Sequence, residues 1–341
     1  DSWFSSNKEG FDSPWDRQTL NMYNLGIIDQ INQKGIEILK NNKNFKFEII
    51  TDLSKNNLLK KLPTFDGITL RRGVLDQEIL SNCKKLKVIS RHGVGYDNVD
   101  TIFLKKNNIK LLVTDSSTST SPAEHIMFMI LSIYKGVNMF DNMVRGGNFA
   151  NAIHLKINEN FELFGKNILI IGFGRIGKKL IKKCLGFDLK VNVYDPYVEE
   201  NLIKSYGGVK VTDLNDALAK VDIVSLSVPR NDETHNLITI KEMKIMKKNS
   251  IIINVSRGGI INEIDLNEAL NNKVIFYAGI DVFEKEPPEK NNPLILNKRV
   301  LLSPHAATFT KECLENMSIE TVTNLIDFFE KKIDNSKIVK L

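Results

Sequence analysis

Along the chain, short apolar runs alternate with stretches in which apolar residues recur every third or fourth position. Past Thr19, the runs Phe45–Ile50, Gly67–Leu70, 86–90 and Lys110–Val113 predict strands, and 35–39 and 77–80 predict amphipathic helices between them. This is the rhythm of a parallel sheet with covering helices. The hydroxyl-rich stretch 116–121 interrupts it, and a domain boundary is expected there. Ser121 reads as an N-cap, with Pro122 as first residue of an apolar helix. A cleaner alternation follows, with strands over Asn167–Ile171, Lys190–Tyr194, 223–228, 251–255, 277–282 and 300–303, and a helix over 175–185. Strands so uniformly aliphatic are buried on both faces, as in a doubly wound parallel sheet. A last long helix over 312–331 is expected to return to the first domain.

Composition narrows the class. The chain has 341 residues, 42% hydrophobic and 26% charged, which suits two globular domains and excludes disorder along the whole length. Its net charge of +6, from 47 basic and 41 acidic residues, is interspersed, so it reads as a lysine-rich surface and not a nucleic-acid footprint. Three widely spaced cysteines, Cys83, Cys184 and Cys313, argue against a disulfide framework and for a reducing compartment. Residues 1–10 lack the pattern of a signal peptide, and the apolar helix 123–134 contains Glu124 and His125 and is too short to span a bilayer. A cytoplasmic protein without membrane or nucleic-acid partners is expected. The first eighteen residues, with Trp3, Phe4 and Trp15, fit no element: they are either an arm that packs on a neighbour or a loose extension. The chain begins at Asp1 and not at Met, which leaves room for a missing initiator or leader.

Chemistry first shows in Gly172-Phe173-Gly174-Arg175-Ile176-Gly177, which follows a strand and opens a helix. In such a turn the first glycine permits the tight bend and the second lets backbone approach a pyrophosphate. The third lets helix and strand pack closely, while the helix N-terminus offers N–H groups to phosphate. The next strand ends in Asp195, at the spacing of a carboxylate that accepts hydrogen bonds from ribose hydroxyls and repels a 2′-phosphate. Pro196 and Tyr197 follow it instead of an arginine, so NAD is expected over NADP.

Three later segments, Asn254-Val255-Ser256-Arg257-Gly258-Gly259, the run from Gly279 to Pro287, and Ser303-Pro304-His305-Ala306-Ala307-Thr308, each follow a strand. Together with the stretch Ser90-Arg91-His92-Gly93-Val94-Gly95-Tyr96-Asp97-Asn98-Val99-Asp100, they resemble the D-isomer-specific 2-hydroxyacid dehydrogenases, the family that includes phosphoglycerate dehydrogenase. The resemblance implies an α/β fold of two doubly wound domains. A Rossmann NAD-binding domain (118–309) would be inserted into a smaller flavodoxin-like substrate domain (1–117 and 310–341). It also implies a catalytic triad of Arg257, Glu286 and His305. A guanidinium can hold a 2-oxo acid's carboxylate and polarise its carbonyl. An imidazole can supply the proton near neutral pH, and a carboxylate on its far nitrogen fixes the tautomer and stabilises the imidazolium.

By the same resemblance Arg175 and Ile176, in the turn of Gly172, Gly174 and Gly177, offer backbone at the pyrophosphate, Asp195 meets the ribose and Val228 lines the adenine side. Val255 and Asp281 lie by the nicotinamide, and Ser256, His305 and Ala307 are further cofactor-binding positions. Asp281 is read as a carboxamide partner or an ordinary strand-end cap. Val94 and Gly95 would offer N–H groups to the substrate carboxylate, although the glycines there equally suit a plain turn. Arg71 and Arg91 match phosphate-binding positions of phosphoglycerate dehydrogenases. Two guanidinium groups facing one cleft repel each other unless an anion or a carboxylate lies between them. That ranks 3-phosphoglycerate first as substrate, and glyoxylate or hydroxypyruvate second. Ser227 stands where the family often has histidine. His92, His125, His154 and His235 show no metal-ligand spacing and are read as structural or surface residues. A homodimer is implied, with the helix 123–135 and the loop through Arg145 and Phe149 packed across a two-fold axis. The competing class is a non-enzymatic NAD-sensing scaffold like the co-repressors that share this fold; the segment 333–341 is short for their docking tails, which favours the enzyme.

Overall fold

The computed structural model describes residues 22–115, 117–154 and 160–341. Trp3, Phe4, Trp15 and Ser116 lie outside the described residues. The chain divides into two units: one runs to Thr114 and resumes over Met317–Leu341, and the other is Asp115–Asn316.

The first unit holds a parallel five-stranded sheet of β1 (Tyr23–Ile28), β2 (Phe45–Ile50), β3 (Gly67–Leu70), β4 (Val88–Arg91) and β5 (Lys110–Val113), in the order β2-β1-β3-β4-β5. The chain reverses its direction of progress across the sheet between β1 and β3. Doubly wound sheets bind ligands at the carboxyl ends of such a switch point. Asp29, Arg71 and Arg72 follow those two strand ends.

The second unit holds a parallel seven-stranded sheet: β6 (Asn167–Ile171), β7 (Lys190–Tyr194), β8 (Val209–Val211), β9 (Ile223–Leu226), β10 (Ile251–Asn254), β11 (Tyr277–Ile280) and β12 (Val300–Leu302). Their order is β12-β11-β10-β9-β6-β7-β8, with the switch between β6 and β9. Side chains alternate between two cores, as strand geometry requires: Ile168 and Ile170 of β6 enter one, Leu169 and Ile171 the other. This Rossmann-like unit is inserted in the chain of the five-stranded unit. The helix Lys311–Phe329 leads back to it, where Thr321 O accepts the Ser90 hydroxyl at 2.8 Å and Asn324 Nδ2 donates to Val113 O at 3.2 Å.

Four local expectations change. The strand β1 is not singled out by its pattern, because Asn24 and Gly26 interrupt its apolar run; Gly26 is needed there, since a Cβ would lie 2.8 Å from the Phe65 ring. β8 is three residues long and sits at an edge, too short for a pattern to show. The segment through Arg145 and Phe149, expected as a loop, is helical over Val137–Arg145 and Phe149–His154. Gly136 at φ 61 ends the preceding helix and starts the next. Ser121 is not an N-cap: the helix Thr120–Lys135 begins one residue earlier, and the Ser121 hydroxyl donates to Ala307 O at 2.6 Å.

Candidate active site

At the switch point of the seven-stranded sheet, the turn after β6 is dictated by its packing. Gly172 has φ 96, and a Cβ there would lie 2.5 Å from Ser227 O and 2.7 Å from Val228 Cγ1. A Cβ on Gly177 would come 2.5 Å from Gly172 O, whereas one on Gly174 would meet nothing within 4 Å. Two glycines therefore serve the chain's own packing and the middle one leaves its surface open for another molecule to approach. The helix Arg175–Gly186 starts there with no side-chain cap and no acidic residue in its first turn, so Arg175, Ile176 and Gly177 present N–H groups at its end. The Arg175 side chain turns aside to pair with Asp115. Asp195 accepts the Phe173 N–H at 2.8 Å and the Tyr197 N–H at 2.9 Å, which holds its carboxylate beside the glycine turn. Open backbone, helix end and carboxylate together fit a dinucleotide.

Three successive strand ends bring together the predicted triad. After β10, the buried Asn254 accepts the Ser256 N–H (3.0 Å) and hydroxyl (2.8 Å) and donates to Arg257 O (2.8 Å), which knits the turn that presents Arg257. A Cβ on Gly258 would lie 1.9 Å from the Phe283 carbonyl carbon and 2.3 Å from Glu284 N. Only glycine lets the arginine turn lie against the loop after β11. In that loop Glu286 accepts the Phe283 N–H at 3.0 Å, and its other oxygen lies 2.7 Å from His305 Nδ1. Burial pushes the Glu286 carboxyl up, but the His305 hydrogen bond and charge, the Phe283 N–H and the Arg257 charge outweigh it. They hold the carboxyl below the usual glutamate range. With Nδ1 committed to a carboxylate, Nε2 is the nitrogen of His305 that can exchange a proton. Its backbone sits at φ 53, an uncommon conformation for a residue other than glycine.

Asp281 behaves as a clamp. It is fully buried, and its carboxylate accepts the Ala306 N–H at 2.7 Å, the Ala307 N–H at 3.0 Å and a short bond from the Ser303 hydroxyl. Of its two sequence readings, the structure shows the cap. Val255, Ser256 and Ala307 are buried, and Val228 is half-buried. Sequence reasoning missed Asn254 and Ser303 as organisers of the site and set His125 aside, yet His125 Nε2 lies 2.9 Å from Ser303 Oγ. The available signal was a polar residue at the end of an otherwise apolar strand.

The five-stranded unit treats its strand-end charges differently. Arg91 Nη1 donates to Leu70 O (2.7 Å), Arg71 O (2.6 Å) and His92 O (3.1 Å). Arg71 donates to Gln30 O at 3.0 Å and lies 3.7 Å from the Asp29 carboxylate, which Arg72 binds through two nitrogens at 2.6 and 3.1 Å. Burial pushes the Asp29 carboxyl up, but Arg72, the Gln30 N–H and Arg71 hold it below its usual range. Burial, with Arg71 and Arg91 nearby, pushes His92 down to about 4, so it is neutral at physiological pH. Of the arginine pair expected to demand an anion, Arg71 therefore lies near the Asp29 carboxylate, and Arg91 is taken up by backbone carbonyls. Gly93, at φ 132, donates to Thr114 Oγ1 at 2.7 Å and leads into the exposed Val94 and half-buried Gly95.

A dinucleotide cradle followed by Arg, Glu and His on three consecutive strand ends defines a class of dinucleotide-binding α/β proteins, and comparison with known proteins narrows it. Residues 127–307 match the family described as D-isomer specific 2-hydroxyacid dehydrogenase, NAD binding domain, and the chain belongs to that family. It is 34% identical over 325 residues to a glyoxylate reductase of Thermococcus litoralis, covering 92% of this chain and 96% of that protein. It is 33% identical over 292 residues to a D-3-phosphoglycerate dehydrogenase of Methanocaldococcus jannaschii, covering 85% of this chain and 54% of that one. The chain spans about half the length of the curated D-3-phosphoglycerate dehydrogenases it matches. A formate dehydrogenase structure from Granulicella shares the fold at a TM-score of 0.84 and 19% identity, covering 93% of this chain and 98% of that one.

Proposed function

We propose that the chain is an NAD-dependent oxidoreductase that interconverts a small D-2-hydroxy acid and its 2-oxo acid. The observation that carries this reading is the 2.7 Å bond between His305 Nδ1 and Glu286, in a loop against which the Arg257 turn packs. Arg257 holds the substrate carboxylate and polarises the carbonyl. His305 gives its proton to the carbonyl oxygen in reduction and takes it back in oxidation, and Glu286 keeps the ring in the tautomer that leaves Nε2 for that transfer. The bound nicotinamide supplies or accepts the hydride. A protein with this pairing has the apparatus for the reaction; an NAD-sensing scaffold can retain the same triad, so it is turnover of NADH with a 2-oxo acid that separates the two.

For the substrate, the engagement of Arg71 and Arg91 within the chain reverses the order drawn from sequence. Glyoxylate or hydroxypyruvate is proposed ahead of 3-phosphohydroxypyruvate, in keeping with the full-length match to a glyoxylate reductase. The phosphorylated substrate remains the second reading, favoured by the position of both arginines beside the Gly93 turn. The test is NADH oxidation with glyoxylate, hydroxypyruvate, pyruvate and phosphohydroxypyruvate, on the parent and on His305→Ala. The variant is expected to lose about a hundredfold or more in turnover while still binding NADH. Near-normal turnover without His305 sinks the triad. A higher kcat/KM for phosphohydroxypyruvate than for the two small acids restores the original order. The active species is proposed to be a cytoplasmic homodimer, joined along the helices Thr120–Lys135 and Val137–Arg145.

A further inference from the structure

The helix Thr120–Lys135 grips the loop that carries His305 at both of its ends. Ser121 and His125 stand four positions apart and so project from one helix face. The Ser121 hydroxyl donates to Ala307 O at 2.6 Å, and His125 Nε2 lies 2.9 Å from Ser303 Oγ. Between these contacts the N–H groups of the loop all bond to the end of β11. Ser303 donates to Ile280 O (3.0 Å), His305 to Asp281 O (2.7 Å), and Ala306 and Ala307 to the Asp281 carboxylate (2.7 and 3.0 Å); Pro304 has no N–H. Because Ser303 gives its one proton to Asp281, its oxygen can only accept from His125. His125 Nε2 therefore carries a proton.

We infer that His125 is a positioning residue for the proton transfer at His305. Its Nε2–H bond, relayed through Ser303 to Asp281, fixes the place of the loop on which the His305 ring stands. That loop holds His305 in the left-handed region at φ 53, and a non-glycine residue stays there only where its surroundings over-determine the conformation. Without the bond from His125 the loop relaxes, and a small displacement of the ring costs turnover steeply, because proton transfer depends on near-contact geometry. The inference rests on the reading of His305 as proton donor.

The test is a double-mutant cycle in the full chain, with kcat and KM measured for the 2-oxo acid reduced best and NADH affinity measured by fluorescence. His125→Ala is expected to lower kcat about tenfold or more, with KM and the NADH Kd changed less than about twofold. His125→Gln, whose amide can still donate to Ser303, should recover most of that loss. In a His305→Ala background the same His125→Ala change should cost nothing further, because the group it positions is gone. An equal loss in both backgrounds, or a Gln variant no better than Ala, overturns the inference. If His125→Ala does not fold, Ser303→Ala takes its place in the cycle with the same expectations. Nitrogen NMR of the parent gives a readout independent of turnover: it should show His125 protonated on Nε2, and an Nδ1–H tautomer overturns the inference. If His305→Ala itself keeps near-normal turnover, the proton-donor reading has failed and takes this one with it. If His305→Ala is inactive while His125→Ala is fully active, only the positioning role falls.

Discussion

In the seven-stranded sheet, the loops after β10, β11 and β12 fold against one another and leave His305 and Glu286 partly open to solvent, at side-chain exposures of 46% and 37%. In the five-stranded sheet, the loops after β1, β3 and β4 pair their charges within the chain: Arg91 onto three carbonyls, and Arg71 and the largely exposed Arg72 towards an Asp29 carboxylate that is 6% exposed. Both sheets are parallel and doubly wound, and both put glycine and charge at the carboxyl ends of their strands. The contrast teaches that such a strand end can serve a ligand or the chain itself. What differs is where the charged groups end: in the first unit on backbone carbonyls and a buried carboxylate, in the second on a Glu286–His305 pair that solvent still reaches.

The two glycine turns test this contrast with the largest expected effect. Gly172 is constrained twice, by φ 96 and by Ser227 O at 2.5 Å, whereas Gly93 is constrained only by φ 132 and has open space around it. Gly172→Ala should weaken NADH binding more than about tenfold and lower the melting temperature, because backbone must shift to admit the methyl group. Gly93→Ala should cost about 1–3 kcal/mol in stability from its backbone conformation alone, with NADH affinity unchanged. Equal effects on NADH binding would break the contrast.

Arg91 sharpens it further at a smaller scale. Removing a guanidinium donor from three strand-end carbonyls should lower unfolding stability in urea by about 1.5–3 kcal/mol with no substrate present. Arg257 Nη1 also donates within the chain, to Ser256 O at 2.7 Å, so Arg257→Ala should likewise lower the urea midpoint, and in addition it should collapse kcat/KM. An Arg91→Ala protein of parental stability that had lost phosphohydroxypyruvate selectively would make Arg91 a ligand group and bring the phosphorylated substrate back to the front.

What could be read from sequence follows the same division. Apart from the edge strand β8, the strands of the second unit were legible because burial leaves few polar positions to blur the run, and the Gly172–Gly177 turn because packing dictates its residues. Arg257, Glu286 and His305 were picked out as a set by the family resemblance of the segments that carry them, and the structure pairs Glu286 with His305. The direction a side chain takes was not legible. Nothing in the sequence around Arg91 says that its reach ends on Leu70 O, since that depends on the pairing of β3 with β4. The role of Asp29 was hidden for the same reason, because its partner Arg72 is brought to it by the pairing of β1 with β3. The His125 bond to Ser303 joins residues far apart in the chain and leaves no local pattern.

The smallest expected effect on chemistry concerns a surface that belongs to the seven-stranded unit. Exposed apolar residues of the first unit, such as Val74 and Ile102, are scattered, whereas Phe128, Val137, Met139, Val144 and Phe149 follow one another along three consecutive helices, each at least 44% exposed. The helix Val137–Arg145 buries none of its residues, and an open groove of about 630 Å³ beside it is lined by Met127, Phe128, Leu131, Val137 and Phe187. Exposed apolar side chains gathered on consecutive helices call for a cover, and the proposed cover is a second copy of the chain across a two-fold axis. Light scattering at micromolar concentration should therefore give a mass near twice the 38.7 kDa of the chain, and Phe128→Glu with Val144→Glu should bring it back towards one chain. Turnover per chain should change less than in any other variant, because Arg257, Glu286 and His305 all stand on strand ends of the same chain. A parent that runs as a single chain would leave these helices without the proposed cover, and a monomeric variant as damaged as His305→Ala would mean that the site needs its partner.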